Sequence, residues 1–206
     1  MRHYLTALPV VAVLAAAVPA APGPASAAEN ATDPAIGRLN HSGFSRRRHC
    51  TFVAIAPDTV LTAAHCVAGV APESLTLLYG YSRMTWVAEG LVRAVEPLGG
   101  DLVALCVTAP PPATLALGQP AVRDQLTTII GYGEPRVHLQ QHHACHVITE
   151  VGGMELLLDC ASPRGSSGAP LLGDDGGVVG VMSRTGRGSS MAVTVPADAA
   201  AACRVP

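Results

Sequence analysis

The sequence predicts an all-β protein, a sandwich or a barrel, on three observations. Ten short segments rich in Val, Leu, Ile or Thr recur along the chain, and Gly, Pro or Asp marks the gaps between them. No stretch between two of these segments is long and periodic enough to form a crossover helix, which argues against a βαβ fold. After the N-terminal region, one good helix candidate remains. It lies at the end, where Pro196 opens an Ala-Asp-Ala-Ala-Ala-Ala run that reaches Cys203.

In chain order, the expected strands are residues 51–56, 59–63, 75–79, 86–95, 102–107, 126–130, 144–149, 154–159, 177–183 and 190–195. Residues 28–49 are polar and mixed and end in the Arg46-Arg47-Arg48 run, which reads as a solvated loop. The Pro-rich stretch near 110–120 is the natural seam between two halves of similar size, 28–109 and 121–206. Two stacked small barrels and a single sandwich both suit this pattern.

The chain has 206 residues, 49% hydrophobic, 14% charged and 3% aromatic, enough for one domain or two small packed lobes and too apolar for a disordered chain. Its 13 basic residues, all arginine, face 15 acidic ones, and with no basic excess neither nucleic acid nor a membrane surface is an expected partner. Residues 1–27 read as a cleavable export signal. Arg2 and His3 precede an apolar run from Leu5 to Val18, and Ala25-Ser26-Ala27 supplies a small-x-small cleavage pattern. The run is short and ends in prolines, which argues against a membrane anchor. Cleavage leaves residues 28–206, with a net charge of -3 because Arg2 departs from a total of -2. All six cysteines (50, 66, 106, 145, 160 and 203) lie beyond the cut. An even number in an exported chain implies three disulfides, among 15 possible pairings. No C-x-x-C pair suggests zinc.

Three short segments concentrate the chemistry. Thr62-Ala63-Ala64-His65-Cys66 ends an apolar strand, Asp101 opens another, and Gly165-Ser166-Ser167-Gly168-Ala169-Pro170 is a glycine-framed turn. Taken singly, each has an ordinary explanation: a satisfied histidine, a carboxylate accepting backbone hydrogen bonds, a serine in a turn. Together they supply what acyl transfer by serine requires. His65 is the candidate base, Asp101 the carboxylate that orients it, and Ser167 the nucleophile, with the N–H groups of Gly165 and Ser167 as an oxyanion hole.

These motifs resemble those of the chymotrypsin-like (trypsin-fold) serine peptidases, and among them the compact secreted bacterial members. The family's T-A-A-H-C stands letter for letter at 62–66. Its D-[IL]-A-L appears as Asp101-Leu102-Val103-Ala104-Leu105, and its G-D-S-G-G-P as Gly165 to Pro170. The order His, Asp, Ser is the family's own, and the resemblance extends over residues 36–203. It implies two six-stranded antiparallel β-barrels, about 36–109 and 121–195, with a short C-terminal helix at about 196–203. The 16-residue spacing of Cys50 and Cys66 matches the disulfide that staples the family's histidine loop. Within that frame Cys145 pairs with Cys160 across a hairpin turning at Gly152-Gly153, leaving Cys106 for Cys203.

Several positions depart from the family pattern. Ser166 replaces the aspartate that pairs with the new N-terminus of activated zymogens, so the usual activation switch is not expected. Ile36-Gly37 is the sequence near the start that resembles a mature N-terminus. The pocket residues by this alignment are Ala161, Ser162, Met182, Ser183 and Arg184. Ala161 stands where trypsin-like members carry the aspartate that receives Arg or Lys. Met182 stands where glutamate-cleaving relatives carry a histidine, and Arg184 replaces the family's tryptophan. The expected preference is therefore weakly hydrophobic and not Arg or Lys. His138, His142, His143 and His146 crowd one segment but read as loop entering a strand, so no metal is expected. The resulting expectation is a monomeric extracellular serine endopeptidase acting on polypeptides, without cofactor or membrane anchor. The rival is a non-catalytic trypsin-fold binding protein, or a peptidase kept inactive.

Overall fold

The computed structural model describes residues 32–41 and 49–204. The export segment assigned to residues 1–27 and the Arg46-Arg47-Arg48 run lie outside the described residues. Strands β1 (Ile36–His41), β2 (His49–Ala56), β3 (Thr59–Ala63), β4 (Leu75–Tyr79), β5 (Ala88–Gly99) and β6 (Leu102–Val107) close into one antiparallel barrel in the order β1-β2-β3-β6-β5-β4. Strands β7 (Leu126–Gly131), β8 (Gln141–Val151), β9 (Glu155–Leu158), β10 (Pro170–Leu172), β11 (Val178–Thr185) and β12 (Ser190–Thr194) close the second as β10-β11-β12-β9-β8-β7. The protein is thus a double barrel of trypsin-like type, and the single-sandwich alternative falls away.

Burial patterns explain why two barrels form. Strand β8 alternates buried and exposed residues along much of its length, as a strand with one wet face must. Strands β3 and β6 are buried at every position, because they have a barrel interior on one side and packed protein on the other. Three clusters of buried side chains follow. One fills the first barrel around Phe52, Leu77 and Leu105, and one fills the second around Ile129, Leu158 and Leu171. The third lies between the barrels, where Ile36, Val53 and Leu102 meet Tyr132, Val181 and Val193. The seam segment crosses this junction. The Leu115 N–H donates to the Ala54 carbonyl at 2.9 Å, and Leu117 bridges to Val178.

The disulfides are Cys50–Cys66, Cys145–Cys160 and Cys106–Cys203, the three pairs expected from the sequence. On a chain-entropy argument, the loop of 97 residues closed by Cys106–Cys203 stabilises by about 4–5 kcal/mol, against about 3 kcal/mol for each short loop. At the C-terminus the expected helix over 196–203 shrinks to a 3-10 turn, Ala199–Ala201. Asp198 makes no side-chain cap there, and Cys203 is drawn back to Cys106, so too few residues remain to repay helix nucleation.

Candidate active site

The first half of the site is built at the end of β3. Ala63 pairs with Leu102 of β6, which brings the 3-10 turn Ala64–Cys66 beside the β5–β6 turn carrying Asp101. The Ala64 N–H donates to the Asp101 carbonyl at 3.0 Å, and the His65 N–H donates to Asp101 Oδ1 at 2.9 Å. His65 Nδ1 lies 2.7 Å from Oδ2. An ionised carboxylate only accepts, so Nδ1 carries a proton, and in the neutral ring Nε2 is the nitrogen with the lone pair. The ring is held by Asp101 yet half exposed, as a proton carrier needs to be.

The second barrel supplies the rest. Ser183, on β11, donates its hydroxyl to Asp101 Oδ2 at 2.6 Å. Partial burial pushes the Asp101 carboxyl up. The Ser183 hydroxyl and the His65 ring and N–H together outweigh that and hold it below the ordinary carboxylate range. Asp101 therefore stays charged at neutral pH. Ser183 belonged to the expected pocket, but its bond to Asp101 was not legible, because nothing local in the sequence brings positions 82 apart together.

The turn carrying Ser167 is fixed residue by residue. The Arg164 carbonyl accepts the Glu134 N–H at 2.8 Å, and the Gly165 carbonyl accepts the Thr51 hydroxyl at 3.0 Å. The Ser166 carbonyl accepts the Ala169 N–H at 2.9 Å, and the Ser167 carbonyl accepts the Thr51 N–H at 2.8 Å. Gly165 has φ 97° and Gly168 φ 82°, so both lie in the left-handed region. A Cβ on Gly168 would also run into the Thr51 carbonyl and the Thr62 hydroxyl. Among the described residues, neither the Gly165 nor the Ser167 N–H donates to an intramolecular acceptor.

The Ser167 hydroxyl donates to the Ser183 carbonyl at 3.4 Å, and no hydrogen bond joins it to His65. Beside Ser167 lies a pocket of about 130 Å³ whose lining includes Ser162, Met182, Ser183 and Arg184 of the expected pocket residues, together with Arg164 and Thr185. Ala161 is exposed and does not line it. The Arg184 guanidinium is engaged by Glu155 at 2.8 Å. Ser166 is buried, and Ile36 lies within the chain at the start of β1, paired with Val53. Of the crowded histidines, His138 bonds the Tyr81 hydroxyl at 2.6 Å, while His142 and His146 are exposed on β8. One grouping of potential metal ligands occurs among the described residues, Cys50, Cys66 and His65, but its two sulfurs are joined in a disulfide and offer no thiolate. No helix of the described residues is long and apolar enough to cross a membrane.

Two barrels that bring a His–Asp pair, a serine turn and a pocket to their junction define a peptidase-type scaffold. The trypsin-like peptidase domain profile matches residues 50–181, and the chain belongs to that family. Among solved structures it is similar to a Glu endopeptidase, at 19% identity over 82% of this chain and 87% of that one, with a TM-score of 0.68. It is similar also to the active form of the Rv3671c protease from M. tuberculosis, at 21% identity over 92% of each chain and a TM-score of 0.67. The scabies mite inactivated protease paralogue S-D1 aligns at 15% identity over 80% of this chain and 90% of that one, with a TM-score of 0.67. No curated protein matches the chain by sequence. At these identities the structural likenesses establish the fold alone.

Proposed function

We propose that this chain is a secreted serine endopeptidase that cleaves polypeptides through an acyl-enzyme. The observation that supports this best is the grip of Asp101 on His65, completed by Ser183 from the other barrel, together with a serine turn whose Gly165 and Ser167 N–H groups donate to no acceptor among the described residues. Ser167 rotates from the Ser183 carbonyl toward His65 and attacks the peptide carbonyl carbon while its proton passes to His65 Nε2. The N–H groups of Gly165 and Ser167 hold the oxyanion. Asp101 stabilises the imidazolium, which gives its proton to the departing amine. Water, deprotonated by His65, then attacks the ester; the tetrahedral intermediate collapses, the proton returns to Ser167, and the acid is released. Catalytic hydrogen bonds that are long without substrate often tighten when it binds, which accommodates the Ser167 position.

Among the described residues no carboxylate lines the pocket, so arginine and lysine side chains find no counter-charge in that lining. Met182 gives it an apolar surface and Ser162 and Thr185 give it hydroxyls, which suits an uncharged residue of modest size on the acyl side of the scissile bond. Three disulfides and the N-terminal export pattern support an oxidising, extracellular destination for a monomer. A second reading, a trypsin-fold protein without catalysis, is favoured by one observation: the Ser167 hydroxyl bonds a carbonyl and not His65. Labelling with a fluorophosphonate and digestion of a peptide library separate the two. The wild type is expected to label and cut, and Ser167→Ala to do neither while keeping its fold. Labelling that persists in Ser167→Ala, or a folded wild type inert in both assays, overturns the proposal.

A further inference from the structure

We infer that Thr51, a residue of the first barrel, is a positioning residue for the oxyanion hole in the second. This rests on the peptidase reading above. Thr51 lies in β2 and is fully buried. Its hydroxyl donates to the Gly165 carbonyl at 3.0 Å and accepts the Tyr132 N–H at 3.1 Å, so its single proton and a lone pair are both committed. Its own N–H donates to the Ser167 carbonyl at 2.8 Å, and its carbonyl accepts the Thr62 hydroxyl at 2.8 Å. One residue therefore grips the turn on both sides of Ser166.

The consequence lies in the peptide planes. The two candidate oxyanion donors belong to the Arg164–Gly165 and Ser166–Ser167 peptides, which the Glu134 and Ala169 N–H groups hold through their carbonyls. The Gly165–Ser166 peptide lies between them and shares an α-carbon with each, so a shift of that peptide that carries either α-carbon with it re-aims the donor attached there. Glycine at 165 leaves that shift sterically easy. The Ser166 N–H bonds the Pro163 carbonyl at 3.1 Å, within the same turn. The Thr51 hydroxyl instead ties the peptide to a strand of the other barrel. A donor misaimed by a fraction of an ångström loses much of its value for an oxyanion, because the hole works by being in place before charge develops.

Thr51→Val keeps the shape and removes the hydroxyl. It is expected to lower kcat about 10- to 100-fold, somewhat less than deleting an oxyanion donor outright, with KM within about threefold. The pH midpoint of activity should not move, because His65 and Asp101 are untouched. Thr51→Ser is expected to restore kcat to within about threefold. A second measurement needs no activity: in Thr51→Val the hydrogen-bonded turn amides of Ser166 and Gly168 should exchange with solvent more than about tenfold faster, with barrel amides unchanged. If Thr51→Val is poorly folded, Thr51→Ala read by the same exchange replaces it. The inference is overturned if Thr51→Val retains both kcat and loop exchange, or if Thr51→Ser loses as much kcat as Thr51→Val. A wild type inert toward fluorophosphonate and peptides would count against the peptidase reading, and the exchange comparison would still decide whether Thr51 pins the loop.

Discussion

Among the described residues the same histidine–aspartate grip occurs twice. In the first barrel Asp101 accepts the His65 N–H at 2.9 Å and binds its Nδ1 at 2.7 Å. In the second, Asp159 accepts the His146 N–H at 2.7 Å and binds its Nδ1 at 3.0 Å. Each histidine adjoins a disulfide cysteine, Cys66 in one case and Cys145 in the other. The grip is thus a local device that any suitably placed aspartate can make. The surroundings differ. Asp101 is 23% exposed and takes a third hydrogen bond, from Ser183 of the opposite barrel, whereas Asp159 is 45% exposed and lies on the outer surface of its own barrel. Chemistry is expected at the pair that the second barrel completes.

The largest test of that contrast is Asp101→Asn, which keeps the shape but makes the ring tautomer wrong. It is expected to lower kcat about 10⁴-fold, read with a fluorogenic peptide. A loss below about tenfold would show that Asp101 does no more than Asp159 does. Ser183→Ala removes the bond that distinguishes the two pairs. A hydrogen bond to a charged group, discounted for partial exposure, predicts a loss on the order of tenfold. It also carries a pH signature. The Ser183 hydroxyl is one of the groups holding the Asp101 carboxyl low, so its removal should raise that value, read by NMR titration of the Asp101 side chain. A carboxyl titration that does not move would mean the hydroxyl leaves Asp101 unaffected. The smallest effect is Asp159→Asn, with kcat within about twofold of wild type. The His146 N–H and ring hold the Asp159 carboxyl below its ordinary range. A carboxylate lowered in the folded state adds stability above the unfolded value near 3.9 (approximately), and loses it as pH falls through the folded value. The variant should therefore melt slightly below wild type at pH 7 and match it at strongly acid pH, by calorimetry. An equal deficit at both pH values would rule out the ionic origin.

Ten of the twelve strands, and the three polar segments of the site, were legible in the sequence because their apolar runs and turn residues are local features. The two strands that were not legible have physical reasons. In β1, Arg38 and Asn40 are fully buried, held to each other at 3.2 Å, so the strand is polar by composition and core by position. Strand β10 has three residues and begins with Pro170, too short for any periodicity. The pocket shows the same limit. The alignment puts Ala161 among the pocket residues, but Ala161 is exposed, and Arg164 and Thr185 take part in the lining instead.

By itself the sequence determined the all-β class and the family and singled out the candidate catalytic side chains, because each depends on spacing along the chain. Only the tertiary structure decided that Ser183 reaches Asp101 and that Thr51 reaches Gly165. Those bonds span 82 and 114 positions and connect one barrel to the other. They exist because two closed barrels bury a shared face, and no local pattern encodes which polar groups that face brings together.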